Sequence, residues 1–487
     1  MREVQLDYGD GKMGIELPDS ATVFNLGRLD SDPPEVDPTE AVRRALKKPL
    51  GFPPLKELSA PNKKIVIGFP DRVKGGAHDK AHRRIAIPII VEELLKGGAK
   101  IENITLLCAV GLHRQNTLEE WYWYLGKEII DLFYPGRIVN HDAEDPGLRN
   151  YGVDEMGNVI QCNQLLADAD LPIVVGHCAG NPYGGYSGGY KMLVTGHSGW
   201  RSIGSHHCPE TMHRRDWLGA STKSHMRRQF HSIGKAMEEG IGKKVFGVDA
   251  VLGRKAQVLD VKAGRLGLIE EATWPLADQR TNLSLDMDEP ADVLIIGVPR
   301  NFHYGPGMGT NPCLMSLAIG GQLSRCWNAF REGGVVIAAS ICDGWFNDNW
   351  FPSYKETYES LQKYCSIPEF LASNDMIRIA EDTEYCFKYS NFNTYHPFHA
   401  MSMISGGGVL APYTSAVFIA GAKAPDYARG MGFIPTSTFK DAMEKAKRYV
   451  GSNPRILCTP DCFTGGVGVN VSLKKMRVSD REKPLLT

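Results

Sequence analysis

No apolar run in the 487-residue chain is long enough to cross a bilayer; the longest, IAIPIIVEELL from Ile85, is short and carries charge. The opening stretch, MREVQLDYGDGKMGIELPDS, lacks the hydrophobic core of a secretory leader. The expectation is a chain with no membrane partner. Formal net charge is -1, so no overall field gathers nucleic acid or an anionic surface. The 11 cysteines are scattered singly, which argues against a disulfide framework and for reduced thiols in a cytoplasmic protein. Cys458 and Cys462 form a close pair, but no second pair with zinc-site spacing follows, and Cys108 reads as core. There is no P-loop, and glycines 305, 307 and 309 do not make the dinucleotide fingerprint. No internal repeat or low-complexity tail is visible.

What is present is an alternation of short apolar runs with helical stretches. IVIGFPD, AHRRIAIPIIVEELLKGG and NITLLCAVG read as strand, helix and strand, a parallel βαβ unit. LPIVVG at Leu171 continues the rhythm. A second series begins at ADVLIIGVP from Ala291 and runs through EGGVVIAAS, SAVFIAG, the charged helix TFKDAMEKAKRYVG and RILCTP. The fold class expected is α/β, with two α/β domains, parallel-rich sheets and an active-site cleft between them. The boundary falls in LDMDEP, giving residues 1–287 as a cofactor-binding domain and 288–487 as the second, with the last residues able to pack back on the first. A hairpin is expected in LDYGDGKMGIEL, turning at Gly9–Asp10–Gly11.

Chemistry-bearing residues gather after the strand ends, where ligands sit in such sheets. The segment GHCAGNPYGGYSGGYK, Gly176 to Lys191, spends 6 glycines around a few reactive groups, as backbone does when it turns tightly or approaches a ligand. Seven of the 14 histidines lie between His177 and His231. They fit surface or core positions, a metal site, or acid–base work near neutral pH. Gly185–Gly189 fits G-x-S-x-G, but it does not directly follow a strand as a nucleophile elbow does. The amides of 184–189 could form an anion nest.

Three motifs together, GLHRQNT, VNHDAEDP and GYSGGYK, resemble the lactate racemase family that uses a nickel-pincer nucleotide. The resemblance runs from about Lys64 to His207 and continues more weakly beyond. It implies racemisation or epimerisation at the carbinol carbon of 2-hydroxy acids. It implies a pyridinium mononucleotide carrying nickel in a pincer, made by separate cofactor biosynthesis enzymes. Residue by residue, it implies Lys191 as the tether, His113 and His177 as two bases, and His207 as nickel ligand with His206 as runner-up. Arg72, with Asp71 nearby, resembles the arginine of a D-x-T-R-P loop that holds cofactor and substrate. Tyr186, Ser187, Gly188 and Gly189 are the expected cofactor-binding glycine loop.

The chain departs from the pattern at three places. His177 precedes Lys191 by 14 residues, four more than usual, through the inserted NPYG. Phe69 stands where the family's aspartate is expected when Arg72 is taken as its arginine. In the second half RNFHYGPGMGTNP replaces a Tyr-Gln-x-x-Lys helix start. The substrate clamp is therefore expected at Arg300, Asn301 and His303, for a 2-hydroxy acid other than lactate. Two other classes remain open: a zinc-dependent hydrolase using the histidine cluster, and a non-catalytic nucleotide-binding homologue. Trp345, Trp350, His396 and His399 receive no role.

Overall fold

The structure, a computed structural model, describes residues 1–26, 32–463 and 468–476. Two sheets organise it. The first has 6 strands in the order Val258–Arg265, Phe246–Leu252, Leu171–Cys178, Ile65–Pro70, Ile104–Ala109 and Ile138–Asn140. All neighbours run parallel except the edge strand Val258–Arg265. Ile65–Pro70 and Leu171–Cys178 are buried at every position, as the continuous apolar runs of a doubly covered parallel sheet require. Helix His82–Lys96 makes the crossover to Ile104–Ala109 and closes at Gly97.

The second sheet has 8 strands, centred on Ala291–Pro299, which lies between Phe330–Ala339 and Ile456–Thr459 in parallel register. Thr414–Ala420 and Ile434–Thr436 extend it. The two expected series of strands are both present, and the α/β class stands.

The hairpin Arg2–Gly9 with Gly11–Leu17 forms where expected. It joins the second sheet and not the first, pairing Tyr8 with Val298 and Gly9 with Pro299. Its alternating apolar face, Val4, Leu6, Ile15 and Leu17, is buried in one cluster with Val293, Ile295, Val335 and Ile337. Asn470–Ser472 pairs with Asn282–Ser284, so late residues reach back to a strand that precedes Ala291–Pro299.

The order of the first sheet reverses at one place. From Ile65–Pro70 the chain moves outward through Ile104–Ala109 and Ile138–Asn140, then returns to add Leu171–Cys178 on the opposite side. Such a switch point opens a crevice at the strands' carboxyl ends. Asp71 and His177 stand at that crevice.

Two buried histidines inside this framework make stability depend on pH. Burial pushes His82 down to about 4, partly offset by its bond to the Val248 carbonyl. Burial and nearby His141 push His197 down to about 3. Both are neutral when folded near pH 7. As pH falls below the ordinary histidine value, about 6.5, the unfolded chain takes up protons first and stability is lost. The loss is about 1.4 kcal/mol per pH unit for each such histidine, down to its folded value. Urea unfolding at pH 7 and pH 5 should show the lower stability at pH 5, with a smaller difference in His82→Gln. Equal stability at the two pH values would contradict this.

Candidate active site

The loops after three parallel strands of the first sheet meet segments of the second half around a cavity of about 460 Å³. Asp71, Arg72, His113, His177, Ser187, Gly188, Lys191, His207 and His303 all border it. Arg300, Asn301, Tyr186, Gly189 and His206 do not.

The first wall is the loop from Pro70 to Gly76. Arg83, in the first turn of helix His82–Lys96, gathers it: the guanidinium donates to the carbonyls of Pro70 at 2.9 Å, Gly76 at 2.7 Å, and Asp71 and Lys74. The Arg83 guanidinium also lies 3.8 Å from the Tyr124 ring centre. Asp71 Oδ2 sits 2.7 Å from His113 Nδ1. Burial raises the Asp71 carboxyl, but His113, Lys74 and Arg83 outweigh it and hold the group below its usual value. The carboxylate fixes the imidazole so that Nε2 is the nitrogen left for a ligand.

This geometry corrects the reading of the loop. Asp71 is the carboxylate that borders the cavity, and Phe69 is fully buried core. Counting from Asp71, the residue at the arginine position of D-x-T-R-P is Lys74. Lys74 borders the cavity, with Nζ 2.9 Å from His303 Nε2. Burial pushes it down to about 8, against the pull of Asp71. Arg72 instead places Nε 2.8 Å from Glu120 and lies over Trp350 at 5.1 Å.

His177 stands at the end of Leu171–Cys178. Desolvation, then the charges of Lys74 and Arg83, push it down to about 3, so its imidazole is neutral. Its carbonyl accepts the Ser187 hydroxyl at 2.8 Å. Ser187 therefore helps close a turn and is not an elbow nucleophile.

The glycine-rich segment is pinned from behind. Gly188 and Gly189 take left-handed φ angles of 79° and 55°. A Cβ on Gly188 would lie 2.3 Å from Asp249 and 2.9 Å from the His177 carbonyl. The Gly189 amide donates to Asp249 at 2.7 Å, and the Tyr190 amide to Glu270 at 2.9 Å. Glu270 also meets Arg227 at 3.1 Å and His231 at 2.5 Å. The expected anion nest is thus already occupied by protein carboxylates. Tyr186 faces away from the cavity, 3.3 Å from Asp278.

Lys191 opens the next helix, Tyr190–Gly196. Its Nζ donates to Tyr183 O at 2.7 Å and Asn181 Oδ1 at 2.9 Å. Asn181 and Tyr183 belong to the insertion at NPYG and its flank, so the extra residues cradle the lysine. Desolvation, then Arg227 and Lys74, hold its amine well below the usual lysine value. A buried, neutral amine is a nucleophile.

His207 stacks on Tyr183 at 4.9 Å and 17°. Its Nδ1 pairs with His206 Nδ1 at 2.7 Å, so Nε2 is the nitrogen it can offer outward. His206 is fully buried against Phe230. The other histidines of that run disperse: His197 is core, His213 meets the Ser405 carbonyl and His231 meets Glu270. They form no hydrolase-type zinc triad. Among the described residues the group able to present three ligand atoms together is Glu144, Cys386 and His396, away from the cavity.

In the second half Arg300 pairs with Asp10 at 2.8 Å and Asp343 at 2.7 Å, and Asn301 accepts the Gly307 amide. Both serve the loop itself; of the expected clamp only His303 reaches the cavity. Sequence reasoning missed Lys74, Arg325 and His399. His399 borders the cavity, with Nδ1 2.6 Å from the Tyr354 hydroxyl and Nε2 buried without a partner. Asp71 Oδ1 and the Tyr183 hydroxyl are also buried without partners. Buried polar groups are normally satisfied, so these atoms mark where a bound molecule belongs.

Residues 8–219 match the family model of the lactate racemase N-terminal domain. A lactate racemase of Thermoanaerobacterium thermosaccharolyticum is 24% identical over 375 residues, covering 75% of this chain and 82% of that protein. One from Lactiplantibacillus plantarum is 22% identical over 441 residues, covering 89% of this chain and 90% of that protein. The lactate racemase apoprotein structure from T. thermosaccharolyticum superposes with a TM-score of 0.67 at 20% identity, over 96% of this chain and 100% of that one. A Thermotoga maritima protein structure superposes with a TM-score of 0.54 at 16% identity, over 90% and 100%. The fold is that of the lactate racemase apoprotein, and residues 8–219 are similar to the lactate racemase N-terminal domain.

The carboxylate behind the glycine turn is open to direct test. Glu270→Ala strips partners from Arg227, His231 and the Tyr190 amide. Removing one side of a buried ion pair costs about 3–5 kcal/mol. Urea unfolding should show a loss of that size; a loss under about 1 kcal/mol would mean the network does not hold the turn.

Proposed function

We propose that this protein racemises or epimerises 2-hydroxy acids other than lactate, using a nickel-pincer nucleotide joined to Lys191. The observation that carries the reading is the convergence of His113, His177, Lys191 and His207 on one cavity. The residues present fit the group. Lys191 has the neutral amine that an attachment needs. His207 has Nε2 to offer nickel, and the unpartnered Asp71 Oδ1 and Tyr183 hydroxyl ask for hydrogen bonds. When bound, the nucleotide supplies an electrophilic carbon that accepts the substrate's C2 hydrogen with its electron pair.

The chain's own part is proton movement and placement. His113 Nε2 takes the hydroxyl proton of one enantiomer, while Asp71 stabilises the imidazolium formed. His177 does the same for the other enantiomer. Desolvation and then the cations Lys74 and Arg83 hold it down; a bound carboxylate offsets the cationic part and moves His177 up toward the range a base requires. Lys74 and His303 are the groups placed to receive that carboxylate. Where the family pattern has a Tyr-Gln-x-x-Lys helix start this chain has RNFHYGPGMGTNP, and the apolar Leu317 of the following helix, Pro312–Cys326, borders the cavity. That supports a substrate other than lactate. We retain the two-domain division near residue 287 as part of this reading, with the hairpin assigned to the second unit.

Protein produced together with cofactor biosynthesis enzymes should carry a mass increment of the nucleotide, absent in Lys191→Ala. His113→Ala and His177→Ala should each lower interconversion by about 10² to 10⁴-fold. C2-deuterated hydroxy acids followed by NMR should keep most of the label. Fast washout into water, or an increment that survives in Lys191→Ala, would defeat the proposal.

A further inference from the structure

The charges lining the cavity do not balance. Arg72, Lys74, Lys191 and Arg325 border it, and among the described residues Asp71 is its carboxylate. Three of the cations are accounted for. Arg72 is beside Glu120, Lys74 is held near Asp71 and His303, and Lys191 is neutral within the carbonyl cradle. No ion pair or hydrogen bond to a described residue accompanies Arg325.

Arg325 sits in the last turn of the buried helix Pro312–Cys326. Leu317, Gly321 and Arg325 are spaced by four residues and so share one face, and all three border the cavity. The backbone of Gly468 packs onto the guanidinium: a Cβ there would come within 2.0 Å of its Cζ. Arg325 depresses the protonation of both Lys74 and His303, which places it within electrostatic reach of the clamp.

This half-buried guanidinium faces the cavity without a counter-ion among the described residues, and its planar fork matches an oxyanion with two parallel hydrogen bonds. We propose that Arg325 is an oxyanion-binding residue of the cavity, receiving either a second acidic group of the substrate or the phosphate of the nucleotide. The proposal rests on the reading of this cavity as a hydroxy-acid and nucleotide site, and it adds a recognition element outside the Lys74–His303 clamp. If the anion is the substrate's, the substrate is a hydroxy acid with a second carboxylate.

The experiment is calorimetric titration of the cofactor-free protein and of Arg325→Gln and Arg325→Lys, with inorganic phosphate, nicotinate mononucleotide, malate and lactate as probes. Arg325→Gln should weaken at least one dianionic probe by ten-fold or more and change lactate by less than two-fold, while Arg325→Lys retains part of the affinity. A loss confined to phosphate and the mononucleotide assigns the site to the nucleotide. A loss confined to malate assigns it to the substrate. Unchanged affinity for every probe in a folded Arg325→Gln, or no binding of any dianionic probe by the unaltered protein, overturns the proposal. Because binding is read without turnover, a failed racemase assay leaves this result standing on its own.

Discussion

Two buried carboxylates, Asp249 and Glu270, hold the turn on which Lys191 stands. Everything the cavity can do depends on that turn keeping its left-handed shape. Asp249 is pushed up to about 7 by burial and by its neighbour Glu270, so the two acids repel while each grips an amide. Arg227 stands beside Glu270 and also donates to the carbonyls of Gly184 at 2.8 Å and Tyr186. One guanidinium therefore ties the beginning of the glycine run to the acid that ties its end. The same positive charge helps keep Lys191 neutral. Structure and reactivity here share one cause.

Burial does the comparable work on the opposite wall. Arg83 spends its donors on loop carbonyls, which fixes where Asp71 and Lys74 stand. Asp71 in turn aims His113. Arg83, with 1% exposure, positions this wall without bordering the cavity itself. Groups held this way lose little freedom when a substrate arrives.

The strands were legible because fully apolar runs such as IVIGFP and LPIVVG leave no alternative to a buried sheet. His113, His177 and Lys191 were legible because each follows a strand end or a glycine turn. The loop register was not: Arg72 and Lys74 are both cations that border the cavity, and only their partners, Glu120 for Arg72 and His303 for Lys74, tell them apart. Arg300 was misplaced because its partners, Asp10 and Asp343, are remote in sequence and come together only through the second sheet. His399 and Arg325 lie on helices whose orientation toward the cavity has no local signature. The hairpin's alternation identified strands but not the sheet they would join.

That hairpin has a consequence for how the protein is made. Its two strands are synthesised ahead of the first sheet, but Tyr8 and Gly9 find their neighbours Val298 and Pro299 only after that whole sheet has left the ribosome. Until then the apolar face of Val4, Leu6, Ile15 and Leu17 has nothing to cover it. A two-stranded ribbon alone is marginal in water. The first sheet can close on its own residues during synthesis, whereas the second is a product of both extremes of the chain. Its completion comes last, and the cavity between the two halves is finished only with it.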